Sequence, residues 1–187
     1  MKPEASQPVA GGRARNERYH RINAPQQPAP RQGGQRPLTM PSTHTSLHYH
    51  IIFATKDRQP LIAPEWRQRL HEYLGGTVRG LGGVPQGVGG VADHIHLLVA
   101  LKPTHCLSDF MRELKKASSI WVADTVGLPS FRWQEGYGAF TVSASARASV
   151  QAYIADQEEQ HRTKSSREEL IEFLEKCGVE YDPHYLD

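Results

Sequence analysis

Hydrophobic and polar residues alternate along residues 47–55, LHYHIIFAT, and this alternation predicts a strand. The odd-numbered positions from Leu47 to Phe53 are large and apolar, whereas His48 and His50 share the other side. The odd-numbered side is therefore predicted to pack beneath helices and the two histidines to lie on the opposite face.

Apolar residues recur at helical spacing after Pro64 and again after Ser108, which predicts two helices. Between them, residues 84–92 and 94–101 are predicted to form the two strands of a hairpin. A short strand near Ala139–Val142 follows. The resulting β-α-β-β-α-β order indicates an α+β, ferredoxin-like sandwich, in which two helices cover one face of an antiparallel sheet and leave the other face open.

Further helices are predicted at the C-terminal end of the chain. One reaches His161. The last shows an apolar stripe at Leu170, Phe173 and Leu174. Its first turn is predicted to hold a capping box between Ser166 and Glu169.

Composition divides the 187 residues into a leader and one domain. Residues 1–39 contain seven Lys or Arg, two Glu and six of the 13 prolines, with almost no large apolar residue. Such a segment buries too little surface to offset its ordering entropy, so it is predicted to be disordered. The domain is expected over residues 40–187. A simpler interpretation is that Met40 is the true start and the leader is a gene-model extension.

Several classes of protein are excluded by sequence features. The two cysteines, Cys106 and Cys177, are far apart and form no C-x-x-C pair, so neither a disulfide scaffold nor a cysteine zinc site is indicated. No apolar stretch approaches the ~18 residues of a membrane span, and no phosphate-binding G-x-x-x-x-G-K-[ST] loop is present. We therefore expect a cytoplasmic protein without a membrane segment or a nucleotide cofactor.

Two histidines flank one position of the second hairpin strand. His94 and His96 lie on the same side, about 6.5–7 Å apart along the strand, a spacing from which two imidazoles can share a metal ion. The alternate residues are apolar, so the histidines are predicted to face the exposed surface. Asp93 could fix the tautomer of His94 through its other ring nitrogen. Two ordinary strand histidines remain the alternative.

Tyr153 and Gln157 are four residues apart in a predicted helix and therefore share one face. A tyrosine at such a position is often simply packed. Next to an H-x-H pair, however, the two side chains would supply a nucleophile and an oxygen ligand.

Basic and aromatic residues are candidates for contacts with a polyanion. Phosphate contacts are predicted for Lys56, Arg58, Arg112, Lys115 and Lys116, and base stacking for Trp133 or Tyr137. The alternative is a solvated helix face and a core tryptophan.

These features resemble one known family over roughly residues 42–187. The chain is similar to the single-tyrosine transposases of the smallest insertion sequences, members of the HUH (histidine-hydrophobic-histidine) endonuclease superfamily. The resemblance rests on an ordered set of segments: HIIFATKDR, GGVADHIHLLVAL, FMRELKKASSIWV, FRWQEGYGAFTVS, AYIADQEEQHR and EFLEKCGVEYD.

The resemblance implies a metal-dependent transposase that cleaves and rejoins single-stranded DNA at insertion-sequence ends. It implies that His94, His96 and Gln157 bind the metal and that Tyr153, carried on a C-terminal helix, forms a covalent 5′-phosphotyrosine. It also implies Mg²⁺ or Mn²⁺, although two imidazoles by themselves favour zinc or another transition metal. The implied partners are single-stranded DNA with hairpin ends and a second copy of the chain in a homodimer.

Two other functions remain open at this point. A domesticated relative could bind hairpin DNA or RNA as a regulator without strand transfer. A metal-dependent phosphodiesterase could instead use activated water, for which the H-x-H pair suffices.

Overall fold

The structure is a computed structural model that describes residues 43–161 and 165–182. The leader predicted for residues 1–39 lies outside the described residues. Within the described ranges, every helix falls short of the length and apolar content that crossing a bilayer requires.

Four strands form one antiparallel sheet in the order β2-β3-β1-β4. The strands are β1 (His48–Ala54), β2 (Val84–Gly90), β3 (His94–Ala100) and β4 (Gly138–Thr141). The helices are α1 (Pro64–Gly80), α2 (Leu107–Trp121), α3 (Arg147–Ala155), α4 (Gln157–Gln160) and α5 (Ser166–Lys176). The order β1-α1-β2-β3-α2-β4 confirms the predicted ferredoxin-like arrangement.

The main core lies between one face of the sheet and helices α1 and α2. Ile51 and Phe53 of β1 are buried there, on the side predicted from the alternation. The helices contribute residues spaced three or four apart, which is the spacing that aligns side chains along one helix face. These core residues include Leu70 and Leu74 from α1 and Phe110, Met111 and Leu114 from α2.

The opposite face of the sheet is covered, so the predicted open face is wrong. Leu174 of α5 packs on Ile52 and Phe140, and Ile154 of α3 packs on Leu98. These sheet residues are apolar on the second face as well, and burying them stabilises the two C-terminal helices against the sheet. The histidines predicted to be exposed therefore lie inside the protein.

Helix α3 approaches β2 closely because that strand carries glycine at the point of contact. A Cβ atom at Gly89 would collide with the backbone carbonyl oxygen of Ile154. Two residues earlier, a Cβ atom at Gly87 would lie 3.8 Å from the side chain of Ile154, which is ordinary van der Waals contact. Gly89 thus sets the distance between the sheet and the helix that carries Tyr153.

This contact predicts a difference between two alanine substitutions in one strand. Gly89→Ala should destabilise the protein by about 1–3 kcal/mol, because backbone must shift to admit the methyl group. Gly87→Ala should change the free energy of unfolding by less than about 1 kcal/mol. Urea denaturation of the two variants checks this, and equal stabilities would contradict the close packing of α3 on β2.

Candidate functional site

The sheet places two imidazoles of β3 side by side under the C-terminal helices. His94 lies opposite Ala54 and His96 opposite Ile52 of β1, and their ring centroids are 4.9 Å apart. Both side chains are at most 1% exposed. Neither Nε2 atom forms a hydrogen bond with a described residue, so two buried nitrogen lone pairs are available to a ligand.

The Nδ1 atom of each histidine is within hydrogen-bonding distance of a neighbouring side chain. Asp93 Oδ1 lies 2.7 Å from His94 Nδ1, and His50 Nε2 lies 2.9 Å from His96 Nδ1. Ser166 Oγ donates to the second oxygen of Asp93 at 2.6 Å. Anchoring Nδ1 fixes the ring orientation and directs Nε2 inward, an arrangement typical of histidines that bind metals.

A carboxylate from α5 lies at the centre of the site. The capping box that begins this helix uses Ser165 and Glu168, not the predicted Ser166 and Glu169. The sequence SSREE fits the motif in both registers, and the observed one turns Glu169 inward with the apolar face of the helix. Glu169 is consequently only 4% exposed.

Glu169 Oε2 is surrounded by three imidazoles. It lies 3.4 Å from His94 Nε2, 3.3 Å from His96 Nε2 and 3.0 Å from His161 Nε2. One ligand atom from each of the four residues lies within 4.8 Å of the others. Three imidazole nitrogens and one carboxylate oxygen are a donor set suited to divalent transition metals. Four donor atoms this close together could hold a metal ion.

The second oxygen of Glu169 faces the predicted nucleophile. Tyr153 Oη donates a hydrogen bond to Glu169 Oε1, and Gln157 Nε2 donates to the same oxygen at 3.1 Å. The Tyr153 ring lies edge-on to His50 and His96, with centroid distances of 6.3 and 5.8 Å. The structure therefore brings Tyr153, Gln157 and the H-x-H pair together within one chain.

Gln157 is oriented differently from a metal ligand. Its amide nitrogen faces the carboxylate, and its Oε1 is buried without a hydrogen-bond partner among the described residues. Amide oxygen and nitrogen occupy equivalent positions, and their assignment follows from the hydrogen bonds around them. A bound cation would favour the opposite orientation, with oxygen inward.

Burial and hydrogen bonding oppose each other at the two carboxylates. Burial raises the pKa of Asp93, but hydrogen bonds with His94 and Ser166 outweigh it and lower the pKa to about 2. Burial likewise raises the pKa of Glu169, and the adjacent imidazoles of His94 and His96 bring it down to about 2. Both carboxylates are therefore ionised at neutral pH, which attracts a cation to the site.

The pKa values of the three sheet histidines at the site shift in different directions. Burial, reinforced by the charge of His96, lowers the pKa of His50 to about 3, so this ring stays neutral behind His96. Burial also lowers the pKa of His94, but the hydrogen bond with Asp93 and the nearby carboxylate of Glu169 exceed that effect and raise the pKa overall. His94 is thus the most basic imidazole of the H-x-H pair, whereas burial lowers the pKa of His96.

The residues predicted to contact phosphates lie outside this centre, in different environments. Lys56 and Lys116 are exposed, whereas Arg112 pairs with Asp109 and Glu113 on the surface of α2. Lys115 Nζ donates to the carbonyl oxygens of residues 134, 135 and 136. Arg58 lines a cavity beside His94.

Trp133 is excluded as a surface platform for bases. It is 8% exposed, stacks edge-on to Phe53, and donates from Nε1 to Ser118 Oγ at 2.9 Å. Tyr137 is 37% exposed and remains available for stacking.

The sequence prediction missed the site roles of His161 and Glu169, and it placed His50 on the face of the H-x-H pair without predicting its contact with His96. A signal for Glu169 was present, because it lies four residues before Phe173 and so shares the apolar face of the last helix. A carboxylate on a buried face needs a partner. Nothing comparable in the sequence distinguishes His161 from a surface histidine.

Comparisons with known proteins give a consistent result. The family model of IS200-like transposases matches residues 43–157. The ISDra2 transposase TnpA of Deinococcus radiodurans is 30% identical over 119 residues, covering 59% of this chain and 84% of the relative. The IS200 transposase of Salmonella typhimurium is 30% identical over 126 residues, covering 64% and 82%. A crystal structure from Deinococcus radiodurans R1, described as a transposase, is 30% identical with a TM-score of 0.50, covering 62% and 93%.

The geometry predicts that metal binding stabilises the folded protein through these side chains. With a divalent ion at about 100 times its dissociation constant, stability should rise by about 2.7 kcal/mol, which raises Tm by about 5–10 °C in a domain of this size. His96→Ala and Glu169→Gln should lose most of this shift, because each removes a donor atom. His44→Ala, at an exposed position before β1, should retain it.

Differential scanning fluorimetry of the EDTA-treated protein, with and without Mn²⁺, measures these shifts. Equal Mn²⁺-induced shifts in the wild type and in Glu169→Gln would show that the carboxylate is not part of the metal site.

Proposed function

This chain belongs to the IS200-like transposases, a family of DNA-processing enzymes, and from this premise we propose that it cleaves and rejoins single-stranded DNA through a covalent phosphotyrosine at Tyr153. The observation that supports this most directly is the grouping of the Tyr153 hydroxyl and three imidazole nitrogens around one buried carboxylate. A nucleophile and a metal-binding donor set then act on the same phosphate.

Tyr153 needs assistance, because a phenol with a pKa near 10 is mostly protonated at neutral pH. Glu169 Oε1 already accepts the hydrogen bond of this hydroxyl and is the proposed acceptor of its proton. In the cleavage step, Tyr153 Oη bonds to phosphorus and the bond from phosphorus to the 3′ oxygen breaks. The 3′ oxygen takes up a proton from water, which yields a 5′-phosphotyrosine and a free 3′-OH, and Glu169 releases the phenol proton to solvent.

His94, His96, His161 and Glu169 would hold a divalent cation, with Gln157 as a further ligand if its amide oxygen turns inward. When bound, such an ion withdraws charge from the non-bridging phosphate oxygens and orients the phosphate. Two ionised carboxylates, Asp93 and Glu169, otherwise repel a phosphate at this position. Asp93 keeps His94 in the orientation that directs Nε2 to the centre.

Rejoining follows as the reverse of cleavage. A 3′-OH from a second DNA end attacks phosphorus and releases its proton to solvent. The ester to Tyr153 breaks, a phosphodiester forms, and the Tyr153 oxygen takes up a proton from Glu169 or water. Because the ester is retained throughout, the cycle consumes no nucleoside triphosphate.

The DNA partner is proposed to be single-stranded with hairpin ends, bound by a homodimer. Lys56 and Lys116 are exposed and are proposed phosphate contacts, since phosphate oxygens are the usual partners of Lys and Arg on DNA. Arg58, which is partly buried and lines the cavity beside His94, is proposed as a third. Lys115 is held by three backbone carbonyl oxygens and should contribute less, and Arg112 must exchange its surface ion pairs with Asp109 and Glu113 for a phosphate. We propose residues 40–187 as the catalytic domain.

Removing the Tyr153 hydroxyl is the direct test of the nucleophile. Tyr153→Phe should abolish the denaturation-resistant protein–DNA conjugate, while affinity for the labelled single-stranded element end changes by less than about threefold, because a phenol contributes little to phosphate binding. Gel electrophoresis after incubation with Mg²⁺ or Mn²⁺ measures the conjugate. An undiminished conjugate would remove Tyr153 from this role, and cleavage without any conjugate would favour activated water.

Metal identity and metal dependence are tested together. EDTA should abolish conjugate formation, and Mn²⁺ should restore it at lower concentration than Mg²⁺, because three imidazoles favour the softer ion. Restoration by zinc but by neither Mg²⁺ nor Mn²⁺ would overturn the choice of cofactor. His96→Ala should lose at least about 100-fold in rate, whereas a protein that only binds hairpins would lose nothing.

A further inference from the structure

A cavity of about 220 Å³ lies beside His94, between the end of β1 and helix α5. We refer to it as the β1–α5 cavity. Leu170 and Leu174 contribute apolar side chains to its wall, Tyr137 an aromatic ring and Arg58 a cation. An apolar lining with one aromatic group and one cation matches the chemistry of a nucleotide, which has a flat base and an anionic phosphate.

The turn that carries Arg58 is strained. Asp57 and Arg58 have φ angles of 55° and 49°, in the left-handed region that residues with side chains seldom adopt. Each such residue costs about 1–2 kcal/mol, and strain of this kind concentrates at functional sites. Thr55 holds the turn in place, because its Oγ1 donates to the carbonyl oxygens of Gln59 at 2.7 Å and Asp93 at 3.1 Å.

The aromatic residue of the cavity is also fixed in position. Lys115 Nζ donates to the three successive carbonyl oxygens of residues 134–136, at 2.9, 3.2 and 2.6 Å. Tyr137 directly follows this hydrogen-bonded segment, and the centroid of its ring lies 5.5 Å from Lys115 Nζ. Lys115 therefore orders the loop that presents Tyr137.

The cavity and the nucleophile lie on different sides of the metal-binding residues. Tyr153 packs next to the rings of His50 and His96, whereas His94 is the histidine that lines the cavity. In phosphoryl transfer, the attacking and leaving oxygens lie roughly in line on opposite sides of phosphorus. A phosphate bound at the metal-binding residues, between Tyr153 and the cavity, would direct its leaving 3′ oxygen toward the β1–α5 cavity.

We propose that the β1–α5 cavity binds the nucleotide whose 3′ oxygen leaves when Tyr153 attacks, with its base against Leu170, Leu174 and Tyr137 and a phosphate of the leaving strand on Arg58. This inference rests on the function proposed above. The volume lies below the ~300–1,000 Å³ of pockets for drug-sized ligands, so the cavity accommodates one base rather than two.

Photocrosslinking tests the occupant. The full-length protein is irradiated with a short oligothymidylate that carries 5-iodouracil at its 3′-terminal nucleotide and a free 3′-OH, with and without Mn²⁺. Peptide mass spectrometry should find the crosslink at Tyr137 or another residue of the β1–α5 cavity. Crosslinks confined to other surfaces, or equal labelling by an oligonucleotide with 5-iodouracil at its 5′ end, would overturn the proposal.

Substitutions provide a second measurement by fluorescence anisotropy with the same oligonucleotide. Arg58→Gln should weaken binding about tenfold through loss of a charge-assisted phosphate contact, and Tyr137→Ala about tenfold through loss of stacking. Arg79→Gln, an exposed arginine in the last turn of α1, should stay within about twofold. Equal affinities of Arg58→Gln and Arg79→Gln would contradict the assignment of Arg58.

These measurements test the cavity assignment independently of the nucleophile assignment, because binding and crosslinking do not need cleavage. A wild-type conjugate at Tyr153 without a crosslink in the cavity would overturn the cavity assignment alone. A crosslink in the cavity without any conjugate would contradict the role of Tyr153 and support nucleotide binding by the cavity.

Discussion

The buried carboxylate of Glu169 is the interaction on which the rest of the site depends. It lies on α5, is almost inaccessible to solvent, and contacts three imidazoles with one oxygen and the Tyr153 hydroxyl with the other. An ionised carboxylate is costly to bury unless charged or polar groups surround it. The same contacts that offset this cost hold Tyr153, the proposed nucleophile, next to the residues proposed to bind a metal.

The ferredoxin-like sheet makes this arrangement possible by presenting a second apolar face. Ile52 and Leu98 draw α5 and α3 onto the sheet next to the two histidines of β3. Gly89 permits close approach of α3 at Ile154. Helix packing on the sheet, rather than a specialised loop, therefore determines the position of Tyr153.

In the proposed function, the charged centre and the partly apolar cavity recognise different parts of the substrate. The centre is anionic, since the pKa values of Asp93 and Glu169 are both about 2, so a phosphate requires a cation to bind there. The neighbouring β1–α5 cavity combines apolar walls with Arg58, which suits a base and its phosphate. In the proposed reaction, these two parts of the cleft distinguish the attacking side of the scissile phosphate from the leaving side.

The sequence by itself determined the element order, the helix-facing side of β1 and the H-x-H pair, because period-2 and period-3.6 patterns are local. It also indicated the family and the proximity of Tyr153 to Gln157, although the single helix predicted to carry both is divided at Asp156 into α3 and α4. Only the tertiary structure decided that the histidines are buried and that Glu169, rather than Glu168, faces inward. Two capping registers fit residues 165–169 equally well, and the choice between them follows from packing α5 on the second face of the sheet. His161 joins the site for the same reason, since no local pattern records what a helix end will contact.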